Sequence, residues 1–184
     1  MLHVLAHRQF DITVVLENVW DPHNISAVLR SCDAVGIQDV YIISSRDKRD
    51  SKLGKKSSAS ASKWLTIHHF HDVNECFQAV RNRYVNIFTT RLRKDATNLY
   101  ALNFCQPMAL VFGNEKEGVS TTAESLSDGN FIIPQVGMIK SLHLSVACAV
   151  TLYECYRQRD ACGMYHQPAH NAQSMELYQK WLTA

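Results

Sequence analysis

No run of apolar residues in this chain approaches the roughly 18 needed to cross a bilayer, so no membrane span is expected. The first ten residues, MLHVLAHRQF, lack a cationic segment leading into a long apolar stretch and a small-residue cleavage site, so no secretory signal is expected. The fingerprint G-x-G-x-x-G is missing, which argues against the common mode of dinucleotide binding. A phosphate loop is missing too. Gly113 and Gly118 have its glycine spacing, but Val119 stands at the lysine position, and Glu115 and Glu117 would repel phosphate. Charge of one sign is also scarce: 19 basic against 17 acidic residues leave +2, no general attraction to polyanions.

Six cysteines, at 32, 76, 105, 148, 155 and 162, form no C-x-x-C pair. Without a signal sequence they are expected to be reduced, in the cytoplasm. Cys148, Cys155 and Cys162 stand seven apart on one predicted helix. Seven residues advance a helix by about 10.5 Å, too far to share a metal ion whose Zn–S bonds are near 2.3 Å. They read instead as an apolar stripe, buried or facing a partner. The cluster His68, His69, His71 lacks a complementary Cys or carboxylate pattern, so no metal site is expected.

What is present is ordinary globular composition, 46% apolar and 20% charged over 184 residues. This predicts one domain spanning 1–184, with a short N-terminal segment (1–10) and a C-terminal helical tail (164–184). Strands are predicted at 12–16, 40–43, 65–68, 84–88, 108–112 and 130–133 from their short, bounded apolar runs. Helices are predicted from Pro22 and Asn24 to Gly36, over 72–83, from about Ser141 to Cys162 with Gly163 as the stop, and over 173–182. Strands alternating with helices predict an α/β fold with a mainly parallel sheet. In such sheets ligands bind beyond the carboxyl ends of the strands.

Three segments then carry a resemblance. They are Glu17-Asn18-Val19 through Pro22-His23-Asn24 to Gly36, Leu110 to Gly118 (LVFGNEKEG), and Ile133 to Ala147 (IPQVGMIKSLHLSVA). In this order they resemble the SpoU/TrmH branch of the SPOUT methyltransferases. The Lys63-Trp64 pair, the Thr89-Thr90 turn and Gly163-Met164-Tyr165 are similar to its tRNA-modifying members in particular. The resemblance implies helices on both faces of the sheet, a C-terminal trefoil knot and a homodimer. It implies transfer of a methyl group from S-adenosylmethionine to the 2′-hydroxyl of a D-loop guanosine, position 18, in tRNA. Methylation of a ribosomal RNA and RNA binding without turnover are the alternatives. No metal, DNA or membrane partner is implied.

Residue by residue, the resemblance assigns Arg30, Asn24, Glu115, Ser141 and His143 to catalysis. Thr90, Gly113, Ile133, Gln135 and Leu142 are assigned to the cofactor. The local chemistry alone reads several of these differently. Arg30 shares a helix face with Ser26 and Asp33, a polar stripe. Asn24 and Ser141 are good helix N-caps, and Glu115 suits a surface turn. A guanidinium is a poor base at neutral pH, so Arg30 is expected either to stabilise a developing alkoxide or to act with an RNA phosphate. Gln135 and His143 stand where the family usually has Met and Asn. An imidazole titrates near about pH 6.5, so a pH-sensitive activity is expected.

The near-neutral average conceals a basic segment. Residues 46–63 hold Arg46, Lys48, Arg49, Lys52, Lys55, Lys56 and Lys63 against two aspartates, a local charge of +5 that leaves −3 for the rest. With a phosphate-backbone substrate this reads as an RNA-binding segment, extended by Arg8, Arg91, Arg93 and Lys94.

Overall fold

The computed structural model describes residues 1–45, 61–91, 93, 95–166 and 172–183. The predicted RNA contacts Arg46, Lys48, Arg49, Lys52, Lys55 and Lys56, and with them Lys94, lie outside the described residues; Lys63 lies inside them.

The elements run α1 (Leu2–Ala6), β1 (Ile12–Glu17), α2 (Pro22–Ala34), β2 (Asp39–Ile43), α3 (Ala61–Trp64), β3 (Thr66–Phe70), α4 (Val73–Arg81), β4 (Asn86–Thr90), β5 (Thr97–Asn98), β6 (Met108–Phe112), α5 (Thr121–Leu126), β7 (Gly129–Ile132), α6 (Leu144–Ala161) and α7 (Ala172–Leu182). The strands form one sheet in the order β3-β2-β1-β6-β4-β7-β5, and each neighbouring pair is parallel. The fold is α/β, as the alternation of elements predicts.

Every residue of β1, β2 and β6 is buried, because helices cover both faces and successive side chains point to opposite sides. Val14 and Leu16 face a core shared with Val28 and Leu29 of α2 and Leu152 of α6. Val15 and Val111 face the other core, with Phe77 and Val80 of α4 and Ala123 of α5. A third, smaller cluster joins Leu5 of α1 to Leu177 and Trp181 of α7. The terminal helices therefore pack on each other beside the main layers.

Four expectations are corrected here. First, Asp21 rather than Asn24 caps α2: its carboxylate accepts the His23 N–H at 2.8 Å, and Pro22 behind it supplies the fixed φ of a first helical residue. Asn24 falls in the first turn and is buried. Second, α6 begins at Leu144 with His143 at its N-cap, so Ser141 lies in the preceding loop. Third, Arg8 is not an RNA-facing cation. Its side chain is 1% exposed and paired with Asp33, donates to the Ile37 carbonyl at 3.2 Å, and lies over the Trp181 ring at 5.1 Å. It binds the N-terminal segment to α2 and α7. Asp33 is paired with Arg8 rather than with Arg30, its neighbour one turn away on α2. Fourth, not all the cysteines are free: Cys105 and Cys162 form a disulfide, their Cα atoms 6.8 Å apart. The loop before β6 meets the end of α6 here. Phe104 N–H donates to Gln158, and the buried Arg159 donates to the Phe104 carbonyl, Gln9 and Asp11. Of the sevenfold cysteine stripe, Cys148 and Cys155 are buried in the core while Cys162 is exposed at the helix end.

Gly36 follows α2 with φ +83°, and a Cβ there would stand 2.4 Å from the His7 carbonyl oxygen. Only glycine allows that approach. At the amino ends of the strands, His68 and Arg83 bond the two oxygens of Asp39 at 2.7 and 2.8 Å. Burial alone would raise the Asp39 carboxyl, but the hydrogen bonds from His68 and Arg83 and the guanidinium charge outweigh it and hold it below the usual range. Among the described residues no group of three His, Cys, Asp or Glu side chains is placed to hold a metal ion, and no helix is long and apolar enough to cross a membrane.

Candidate active site

The loops that leave the carboxyl ends of β4, β6 and β7, together with the start of α6, enclose a cavity of about 640 Å³. It lies on the side of β1 to which the chain crosses after building β2 and β3, where an open α/β sheet leaves a crevice. All five residues assigned by resemblance to the cofactor, Thr90, Gly113, Ile133, Gln135 and Leu142, line it. So do Glu115, Ser141 and His143.

The β6 loop is the most constrained part. Asn114 and Gly118 pair across it, and Gly118 N–H donates to the Asn114 carbonyl at 2.9 Å. The Asn114 side chain accepts the backbone N–H groups of Lys116 and Glu117 at 3.0 and 2.9 Å, a local turn that asparagine favours. Gly113 packs so tightly on Gly118 that a Cβ would stand 2.0 Å from its carbonyl carbon. Downstream, the buried Glu17 at the end of β1 accepts the Ser120 N–H at 2.9 Å. Ser120 in turn caps α5 by accepting the Ala123 N–H. The loop tip is thus held from both sides, and it presents Glu115.

Asn24 does not line the cavity, yet its amide donates to Glu115 Oε1. The first turn of α2 is therefore tied to the tip of the β6 loop, two segments 91 residues apart. His143 approaches the same oxygen, with Nε2 3.9 Å away, while its Nδ1 bonds the Ser145 hydroxyl at 2.9 Å. Thr90 is fixed by donation to the Val111 carbonyl at 3.1 Å. Arg91 lines the cavity; both Arg91 and Arg93 pair with Glu124, so both are engaged within the fold.

Arg30 is not brought to the cavity. It lies six residues beyond Asn24, about 9 Å along α2 and on another side of it. Its side chain is exposed and has no ion pair among the described residues. Residue assignment from sequence also missed Phe112, Phe131, Leu144 and Ala147, which supply much of the apolar wall, with Phe112 and Phe131 edge to face at 6.3 Å. Their signal was position: Phe112 ends a strand and Leu144 starts a helix, each inside a segment that carried the resemblance. Glu17 was quoted in the first segment but given no role.

The profile of the SpoU rRNA Methylase family matches residues 11–153. The chain belongs to the SpoU family. A tRNA (guanosine(18)-2'-O)-methyltransferase from Thermus thermophilus is 41% identical to it over 97% of this chain and 90% of the relative. The solved structure of the A. aeolicus TrmH/SpoU tRNA modifying enzyme matches with a TM-score of 0.88 and 33% identity, covering 99% of this chain and 93% of that one. The SpoU methyltransferase AviRb from Streptomyces viridochromogenes, solved in complex with AdoMet, matches with a TM-score of 0.70 and 27% identity. That match covers 83% of this chain and 62% of the other.

The SpoU cavity fits S-adenosylmethionine on its own terms. Its volume falls in the range of about 300–1,000 Å³ typical of small-molecule sites. The walls are aromatic and aliphatic, and at Gly113 the two arms of the β6 loop meet backbone to backbone, which shapes the rim of the cavity.

Proposed function

We propose that this chain transfers a methyl group from S-adenosylmethionine to the 2′-hydroxyl of guanosine 18 in the D-loop of tRNA. The observation that carries this reading is the Asn24–Glu115 bond at the mouth of a cavity shaped for the cofactor. It joins the first two segments of resemblance at one corner, which His143 of the third approaches. The identity to the Thermus thermophilus enzyme over nearly the whole chain supports tRNA, and position 18, as the substrate.

When bound, S-adenosylmethionine supplies an electrophilic methyl group. Thr90, Gly113, Ile133, Gln135 and Leu142 would hold it, through backbone contacts and apolar packing. Glu115, fixed by Asn24, gives the site a defined carboxylate beside Ser141 and His143, which orient the ribose. Arg30, brought to the cavity of a second subunit, stabilises the alkoxide that forms as the 2′-hydroxyl passes its proton to an RNA phosphate, because a cation placed where charge develops lowers the cost of that charge.

Two further parts belong to the same proposal. The chain acts as a homodimer in the cytoplasm, with the trefoil thread of its family. A homodimer is supported by the exposure of Val136, Met138 and Ile139 in the loop before α6, and of Val146 and Tyr153 on α6 itself. Such apolar surface is seldom left to water. It is also supported by Arg30, which does not line its own chain's cavity and is free to serve a second subunit.

The test is a transfer assay with labelled S-adenosylmethionine, an unmodified tRNA transcript and a 23S rRNA domain, followed by mapping of ribose methylation. Label at guanosine 18 of tRNA alone is expected. Label in the ribosomal fragment, with none in tRNA, would overturn the substrate assignment.

A further inference from the structure

Of the three tryptophans, two are used internally. Trp181 is 5% exposed and Trp64 meets it edge to face at 5.8 Å. Trp20 is 48% exposed. A half-exposed indole offers one of the largest flat apolar surfaces of any side chain to a binding partner. Its surroundings show that it is not simply on a loose loop.

The β1–α2 connection is fastened on both sides of Trp20. Upstream, Asn18 adopts a left-handed φ of +53°. Its N–H donates to the Ile43 carbonyl at 2.9 Å, and its side-chain oxygen accepts the N–H and hydroxyl of Ser45, both at 2.9 Å. Val19 is buried in the core. Downstream, Asp21 caps α2 and Pro22 fixes its first residue. The chain therefore spends a left-handed asparagine and four local hydrogen bonds on holding a loop whose outward residue is an indole. That loop leaves the carboxyl end of β1, the edge of the sheet on which the cavity opens. Trp20 stands four residues before Asn24, the residue that grips Glu115.

We propose that Trp20 is a stacking platform for the unpaired nucleobase next to the target guanosine, and that it selects single-stranded loop RNA over paired RNA at this site. The inference rests on the reading of the chain as an RNA ribose methyltransferase. A rigid aromatic surface beside a site that must reach a ribose in a loop matches how sequence-tolerant single-stranded RNA recognition works. Bases splayed from a loop expose a π-face, whereas a helix keeps it stacked. Guanidinium and lysine contacts supply affinity to any phosphate backbone; a flat indole supplies discrimination between a free base and a paired one.

Loss of one base–aromatic stack corresponds to a factor of about 5 to 150 in binding. Trp20→Ala is therefore expected to raise the KM for tRNA by that factor. Its affinity for S-adenosylmethionine, its Tm and its oligomeric state by light scattering should match those of the wild-type protein. Trp20→Phe should restore most of the loss. A tRNA made abasic at the neighbour of position 18 should weaken wild-type binding by the same factor and leave Trp20→Ala binding unchanged. Quenching by RNA of the emission that wild type has and Trp20→Phe lacks gives a direct readout independent of catalysis. If Trp20→Ala binds tRNA within twofold of wild type, the inference is wrong. It is equally overturned if the substitution dissociates the protein into monomers, which would make the indole a subunit contact. If wild-type protein methylates no RNA, the functional reading fails. Quenching by a single-stranded but not a duplex oligoribonucleotide would then still establish the stacking surface.

Discussion

Replacing Gly113 with alanine should abolish cofactor binding while leaving the sheet folded. The Cβ would stand 2.0 and 2.1 Å from the carbonyl carbon and oxygen of Gly118 and 2.2 Å from the Val119 nitrogen. Ordinary contact begins at 3.4 Å, so the two arms of the β6 loop must separate by about 1.2–1.4 Å. All three atoms are backbone, so no rotamer change relieves the clash. A misplacement of about 1 Å at a positioned site costs on the order of 100-fold. We therefore expect at least a 100-fold loss of affinity for S-adenosylmethionine by calorimetry, and a similar fall in kcat/KM. Gly118→Ala is the control. Its Cβ meets nothing within 4 Å, and its cost is the strain of φ +69° alone, about 1–2 kcal/mol. That variant should melt a few degrees lower yet keep measurable cofactor binding. If Gly113→Ala binds the cofactor with wild-type affinity, the loop does not form the cradle described, and the placement of the cofactor is wrong.

Asn24→Ala removes a hydrogen bond to a carboxylate, about 1.5–3 kcal/mol. It should lower kcat by about 10- to 150-fold with little change in cofactor affinity; an unchanged kcat would separate Asn24 from the reaction. Arg8→Ala breaks a pair buried on the arginine side, and a cost of about 3 kcal/mol should lower Tm by about 6–12 °C. Its tRNA affinity should persist, whereas weaker tRNA binding at an unchanged Tm would restore Arg8 to the RNA surface. The depressed Asp39 carboxyl contributes stability above its unfolded value, near pH 3.9, and that stability is lost as pH falls through its lower folded value. The stability gap between wild type and Asp39→Asn, from denaturant melts, should therefore narrow below about pH 4; a constant gap would remove the ion pairs from the ledger.

The legible parts of the fold were those where local and tertiary demands agree. β1, β2 and β6 announced themselves as short β-branched or aliphatic runs because burial on both faces removes every polar position. α2 was legible too, but its cap was misassigned: Asp21 and Asn24 are equally good capping types, and only Pro22, which must sit just inside the helix, distinguishes them. β5 was invisible because its two residues are exposed and owe their extension to pairing with β7 alone. The start of α6 depends on Leu144 reaching the core, a tertiary fact. Arg8 in isolation reads as a free cation. Its burial requires Asp33 and Trp181, from opposite ends of the chain, to arrive beside it. The Cys105–Cys162 pairing likewise depends on a loop and a helix end 57 residues apart. At the candidate site, the family resemblance marked most of the cavity lining in advance, while the apolar wall and the Glu17 anchor emerged only from packing.

The central claim is best tested in cells that lack this protein, by mapping 2′-O-methylation across their tRNA. The account predicts loss of the methyl group at guanosine 18 of the D-loop, restored by the wild-type chain and not by Gly113→Ala. Full methylation at that position in the deleted strain, where no other enzyme supplies it, would contradict the account.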